Sequence, residues 1–283
     1  MRLARALTGG AAILLATPVA AILAVIVGRA FPALSLAFLW ENPADKGKAG
    51  GLWGPLMGTI ALVSISVLLV VPVGVAAGIY LNEYARPGRL RSTVTLAMTS
   101  LAGVPSIVHA LFGLGAFVRF AGMGSSLLAA ACTLAVMNLP VIIASSQQAL
   151  AAVPMPFREA CWNLGASRWQ TIRTIVLPNA LSGILTGTIL AVSRAAGETA
   201  PILFTGAVFF KRVPEHGIER AFPFGLGDSF VAMATHLHVI ATQVSGMPQE
   251  RMFACALVLV CLVLVINSAA ILVRVRLRNR RRW

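Results

Sequence analysis

Six apolar runs, each close to twenty residues or longer, leave this chain little choice of fold. They fall at roughly 10–30, 57–81, 93–118, 125–148, 180–208 and 252–273. About twenty residues of α-helix cover the hydrocarbon core of a bilayer. No water is available there, so the backbone must close its hydrogen bonds within helices or closed barrels. The runs show no two-residue alternation, and helices are expected. Charged residues make up 11% of the chain, mean hydropathy is +0.85, and a soluble domain needs about 25% charged residues. The expected class is an all-α integral membrane protein with six transmembrane helices.

The net charge of +14 is distributed for a membrane, not for nucleic acid. Arginines cluster between apolar runs, at Arg86, Arg89 and Arg91 and at Arg158, Arg168 and Arg173. Six more, from Arg274 to Arg282, follow the last run. With Arg2 and Arg5 this face carries fourteen cations, against eight on the other. The positive-inside rule then places both termini in the cytoplasm, which requires an even number of spans. A cleaved signal peptide is the alternative for the first run, with Thr17-Pro18-Val19-Ala20-Ala21 as a small-residue stretch. Its hydrophobicity continues to Val27, beyond an ordinary signal core, so a retained span is expected.

Residues 1–56 read as a first helix and an external loop, and 57–283 as the core. The segment 32–56 looks like plain loop. The segment 209–251 is long for a loop, and its FGLGDSFVAMATHLHVIATQ is expected to form a helix lying along the membrane surface. Cys132, Cys161, Cys255 and Cys261 lack metal-ligand spacing, and His236 and His238 lack a third ligand. No metal site is expected. His109, in an apolar run, reads as a packing residue.

A polar loop, 154–178, interrupts the apolar pattern. Pro154 and Pro156 end the preceding structure, Arg158–Leu164 can form a short helix, and Gly165 allows a sharp turn. A second short helix from Ser167 to about Val176 leads to Leu177-Pro178, which opens the fifth span. Arg158, Glu159 and Arg168 would offer polar contacts to a docking protein, with Trp162, Leu164 and Trp169 as apolar anchors. No G-x4-G-K-[ST] phosphate loop occurs.

This loop resembles the EAA signature of ABC importer permeases. Glu159-Ala160 precedes Gly165, Ile175-x-Leu177-Pro178 closes the pattern, and Cys161 stands where the signature has a second alanine. The resemblance implies a MetI-like permease fold. It also implies that Arg158, Glu159, Ala160, Trp162, Leu164, Gly165 and Arg168 couple the chain to a separate ATPase. GIYLNEYA (78–85), GVPSIVHALFGLGAF (103–117), NLPVIIASSQQALAAVP (138–154) and SRAAGETAPILFTG (193–206) are similar to the PstA family of phosphate permeases. That likeness covers about 57–210 and the last run. It implies a PstC-like second permease, two ATPase subunits holding ATP and magnesium, an external phosphate-binding protein, and phosphate as cargo in a bacterial inner membrane. No cofactor and no bond chemistry are expected in this chain. Another anion, such as molybdate, sulfate or phosphonate, is the alternative cargo.

Arg194 and Glu198 are four residues apart, on one face of a helix. A lone charge at membrane depth costs at least about 2.5–3.5 kcal/mol, so an ion pair is expected. Either it handles the anion on a translocation path or it locks spans together. Gly197 and Pro201 are expected to break the helix beside it, and Pro140, after Asn138, to interrupt the fourth span.

Overall fold

Three helices, α3 (Trp53–Ile79), α6 (Leu127–Ala151) and α9 (Leu177–Gly197), form the centre of the bundle. The computed structural model describes residues 2–279 apart from 212, 215, 216, 218, 219 and 221. Of the cations counted above, Arg212 and the tail residues Arg280, Arg281 and Arg282 lie outside the described residues. Small residues bring the central helices together. A Cβ on Gly74 would stand 2.5 Å from Ile142 Cγ2, and one on Gly78 would stand 2.6 Å from Ser146 Cβ. These paired contacts advance together along both chains, so α3 and α6 run parallel. Gly183 against Ala149 and Gly187 against Ser145 set α9 antiparallel to α6. The shared core includes Leu62, Leu134, Met137 and Ile202.

Five helices are long and apolar enough to cross a membrane, or six when a bent pair counts as one span. The bent pair corrects the expectation of a straight third span at 93–118. α4 (Arg89–Ala102) and α5 (Ser106–Gly113), with the π turn Leu114–Phe120 after it, meet at 103°. Pro105 disfavours helical geometry at Val104, and the chain turns there. Because α3 and α6 are parallel, 85–126 must carry the chain back from one face to the other. α4 has no buried residue.

The fifth span also differs from expectation. It does not start at Leu177-Pro178: helix continues from α8 (Arg168–Thr171) through a π turn, Ile172–Val176, into α9. Pro178 cannot donate, and its ring would crowd the carbonyl four residues back. The wider turn relieves this, with the Leu177 N–H reaching the Ile172 carbonyl, five residues back. The helix ends at Gly197, and α10 (Ala200–Thr205) follows a break.

The last span, Gln249–Asn279, runs antiparallel to α9, with Ser193 Oγ donating to Asn267 Oδ1 at 2.7 Å and Arg274 to Thr186 Oγ1 at 2.8 Å. Ala30, at the end of α1 (Arg2–Ala30), joins Ala254 and Cys255 in one apolar cluster.

The connecting segments at the Trp53 end of α3 form a folded cap. Residues 32–56 are not plain loop. Ser35 caps α2 (Leu36–Trp40), and β1 (Pro43–Ala44) pairs antiparallel with β2 (Ala49–Gly50). Trp40 stacks on Trp53 at 4.8 Å, and the Arg220 guanidinium lies over Trp53 at 5.3 Å. The helix expected in the later segment is present at Met233–Thr242 and packs against the protein. Met233, Thr235, His236 and Ile240 are buried, and the Met233 N–H donates to Thr59 Oγ1 of α3 at 2.9 Å.

Candidate functional site

At the opposite end of the bundle the chain forms an elbow. α7 (Met155–Asn163) has Pro156 in its first turn, where a missing N–H costs nothing. Gly165 adopts φ +79, a left-handed conformation that glycine enters without strain. The Ala166 N–H returns to the Cys161 carbonyl at 3.0 Å. Ser167 then starts α8 with a capping box: its Oγ accepts from the Gln170 N–H at 3.2 Å, and Gln170 Oε1 accepts from the Ser167 N–H at 2.7 Å. The expected helix–turn–helix is present.

Its outer face is apolar and uncovered. Leu164 is 89% exposed, Trp169 55% and Trp162 39%. Glu159, Ala160 and Arg168 are exposed beside them. Met155 and Phe157, which sequence reasoning passed over, extend the patch. Their signal was available: two large apolar residues alternating with Pro154 and Pro156 at the entrance to a polar loop.

Arg158 departs from the rest. It was expected to face outward as a polar contact, and it turns inward instead. Its residue exposure is 6%, and Nη2 lies 3.0 Å from Glu83 Oε1, in the π turn Tyr80–Tyr84 that ends the α3 span. Nη2 also donates to the Leu150 carbonyl at 2.8 Å, and Nη1 donates to the Val153 carbonyl. Leu150 lies in the last turn of α6, where carbonyls have no partner within the helix, and Val153 lies just beyond it. Glu83 was not singled out as a site residue. A cleft of about 290 Å³ lies between Glu83, Asn82, Met155, Trp162, Arg168 and Ile172.

The second site is the end of α9. Arg194 Nε lies 3.2 Å from Glu198 Oε1, so the pair is formed. The Arg194 side chain is 37% exposed and that of Glu198 17%. Glu198 is extended (ψ 136), which is the break beside Gly197, and Pro201 sits in the first turn of α10. Ser193, one residue from Arg194, is tied to Asn267 in the last span, a contact no motif announced. The break expected at Pro140 is absent: α6 runs through it from Leu127 to Ala151. Asn138 Nδ2 donates to the Leu134 carbonyl at 3.0 Å, not to the carbonyl of Val136 that faces the proline. Buried neighbours on both sides, Met137 and Ile142, hold the helix together there.

His109 is buried in α5, with Nδ1 3.4 Å from the Pro105 carbonyl. At the cap, Lys211 Nζ lies 3.4 Å from Asp228 Oδ2. The Gly225 N–H first, and Lys211 second, hold the Asp228 carboxyl below the usual carboxylate range. Burial pushes the His236 imidazole, stacked on Phe209, down to about 4. No cluster of three or more potential metal ligands occurs among the described residues.

A bundle of membrane-length helices with an uncovered helix–turn–helix at one end matches the architecture expected of a transporter permease. The family model described as "Binding-protein-dependent transport system inner membrane component" matches residues 71–283, and the chain belongs to that family. It is thus a multi-pass membrane protein that serves as a permease subunit. Among relatives, it is 31% identical to the probable ABC transporter permease protein YqgI of Bacillus subtilis, over 95% of this chain and 93% of that one. It is 33% identical to the phosphate transport system permease protein PstA 1 of Mycobacterium tuberculosis, over 94% of this chain and 84% of the relative. The fold resembles an inward-facing structure of the MetNI methionine ABC transporter at a TM-score of 0.61, covering 80% of this chain and 94% of that chain at 20% identity. A bacterial ABC transporter that imports alginate gives 0.56 over 98% of this chain and 99% of that chain, at 13% identity. At these identities the likeness concerns the fold alone.

Proposed function

We propose that this chain is the membrane-spanning permease subunit of an ATP-driven importer of inorganic phosphate. The observation that carries the proposal is the elbow at 154–178, which pairs an EAA-like sequence with an uncovered apolar face. Leu164, Trp169, Trp162, Met155 and Phe157 are exposed together on this one elbow, and an apolar patch of that kind marks an interaction site. In this reading two copies of an ATPase subunit, holding ATP and magnesium, grip this elbow and that of a PstC-like second permease. The elbow and both termini lie in the cytoplasm, where the cation clusters favour them. The cap at the other end receives an external phosphate-binding protein. Phosphate as the cargo is supported by the relatives named for phosphate transport.

Arg194 offers a planar guanidinium suited to phosphate oxygens, and it is partly exposed. Glu198 holds it between transport events, so the anion is exchanged and not trapped. The break after Gly197 lets the two sides of the pair shift relative to each other.

Reconstitution with the ATPase, the second permease and the binding protein in proteoliposomes tests the reading. Phosphate entry that depends on ATP is the expected result. Entry that proceeds without the ATPase would reassign the chain to a secondary carrier. Molybdate, sulfate and phosphonate as competitors decide the cargo, and none of the three is expected to displace phosphate.

A further inference from the structure

The joint between the fourth span and the elbow is short and poorly tied by backbone. Only Ala152, Val153 and Pro154 separate α6 from α7. Two prolines, Pro154 and Pro156, remove donors at that joint. Among the described residues, no backbone hydrogen bond joins α7 to α6. On its other side the elbow is continuous with α9 through the π turn Ile172–Val176. Judged by its backbone, the elbow would drive α9 and swing freely against α3 and α6.

Arg158 changes this. From within α7 its guanidinium reaches the Glu83 carboxylate of the α3 span, the Leu150 carbonyl in the last turn of α6 and the Val153 carbonyl in the joint itself. Glu83 is held in turn by Asn82 Nδ2 at 2.7 Å. Beneath them, Leu150, Val153, Val176 and Ala180 form one buried cluster with Val75 and Ile79 of α3. Arg158 faces this interior, while Leu164 and Trp169 face out. A buried charge pair is costly to break from one side only, because the survivor is left charged and unpaired.

We infer that Arg158 and Glu83 are a positioning clamp that makes α7 and the ends of α3 and α6 move as one body. Force applied at the elbow then reaches three spans instead of one. The clamp holds no ATPase itself; it decides what the ATPase moves. The mechanical consequence rests on the elbow being the coupling loop, whereas the rigidity itself does not.

Two measurements separate these. For the first, the chain alone is placed in lipid nanodiscs with its four cysteines replaced. Spin labels are set at Ala160→Cys in α7 and Val73→Cys on the exposed side of α3. A single narrow distance is expected. Arg158→Met should broaden it clearly, and Arg158→Lys, which keeps the charge, should broaden it less. For the second, the reconstituted importer carries Arg158→Met, Glu83→Gln, both together, or Arg158→Lys. Arg158→Met should keep the ATPase bound and hydrolysing ATP while phosphate delivered per ATP falls by about tenfold. The double variant, having no unpaired charge, should assemble well and still transport poorly, and Arg158→Lys should recover part of the ratio. An unbroadened distance in Arg158→Met overturns the clamp even when the importer works. Loss of ATPase binding in step with transport in all variants also overturns it, and makes Arg158 a plain docking contact. A parent complex that transports no phosphate, with the distances behaving as expected, defeats the functional reading and leaves the clamp standing.

Discussion

Individual side chains on this chain are set by what surrounds them more than by their type. Arg158 and Arg168 stand in the same loop, yet one is buried against a carboxylate and two carbonyls while the other is exposed. Arg194 differs again, paired at 3.2 Å but more than a third exposed. Its geometry gives a test of guanidinium-specific handling. Arg194→Lys keeps the charge and loses the fork, so phosphate uptake should fall at least tenfold, about 1.4 kcal/mol or more, with complex assembly unchanged. Normal uptake by that variant would leave the pair a structural lock. His236 gives a test in pH. Its folded pKa of about 4 lies below the ordinary 6.5, so the unfolded chain binds the extra proton as pH falls between those values. Stability contributed by the neutral ring is complete above about 6.5, lost progressively on the way to about 4, and flat below. The difference amounts to about 3.4 kcal/mol at most. Thermal unfolding in detergent from pH 4 to 7 should show this slope, and His236→Gln should flatten it.

Among the elements, the elbow carries the clearest consequence. Gly165 and the Ser167–Gln170 capping box set the turn between its two helices with local contacts, and Leu164 at that turn is exposed. In the proposed reading Leu164 is therefore expected to contribute to binding and hardly to folding. Leu164→Asp should weaken capture of the ATPase by about 30-fold, near 2 kcal/mol, with no change in the unfolding temperature of the isolated chain. A pull-down titration beside a melting curve checks both halves. The elbow was legible from residues 154–178 because prolines, glycine and caps act locally. The bend at Gly103-Val104-Pro105 carried a comparable local signal, and apolarity on both sides concealed it. Pro140 is the opposite case, a local breaker overruled by a helix whose neighbours bury it.

For the whole molecule, the direction of the central helices puts the elbow and the cap at opposite ends. α3 leads from the cap to the elbow, and α9 leads from the elbow back toward the Arg194–Glu198 break. At about 1.5 Å per residue, α9 carries a displacement over roughly 30 Å. In cells, a cysteine placed at Ser167 should react with an impermeant maleimide only after the membrane is opened, and one placed at Gly227 in the cap should react in intact cells. The reverse pattern would overturn the orientation proposed from the arginine clusters.

The sequence by itself determined the solvent, the helical class, the number of crossings to within a bent pair, the elbow and the Arg194–Glu198 pair. Each of these depends on residues close together in the chain: runs of apolar side chains, cations beside them, prolines and glycines at turns, and charges one helical turn apart. Only the tertiary structure decided that Arg158 faces Glu83, that Ser193 meets Asn267, and that the cap folds back on α3. Those contacts join residues 75, 74 and 174 positions apart. Whether a polar group so placed meets water, a docking protein or a distant carboxylate depends on how the helices pack, and no local pattern carries that information.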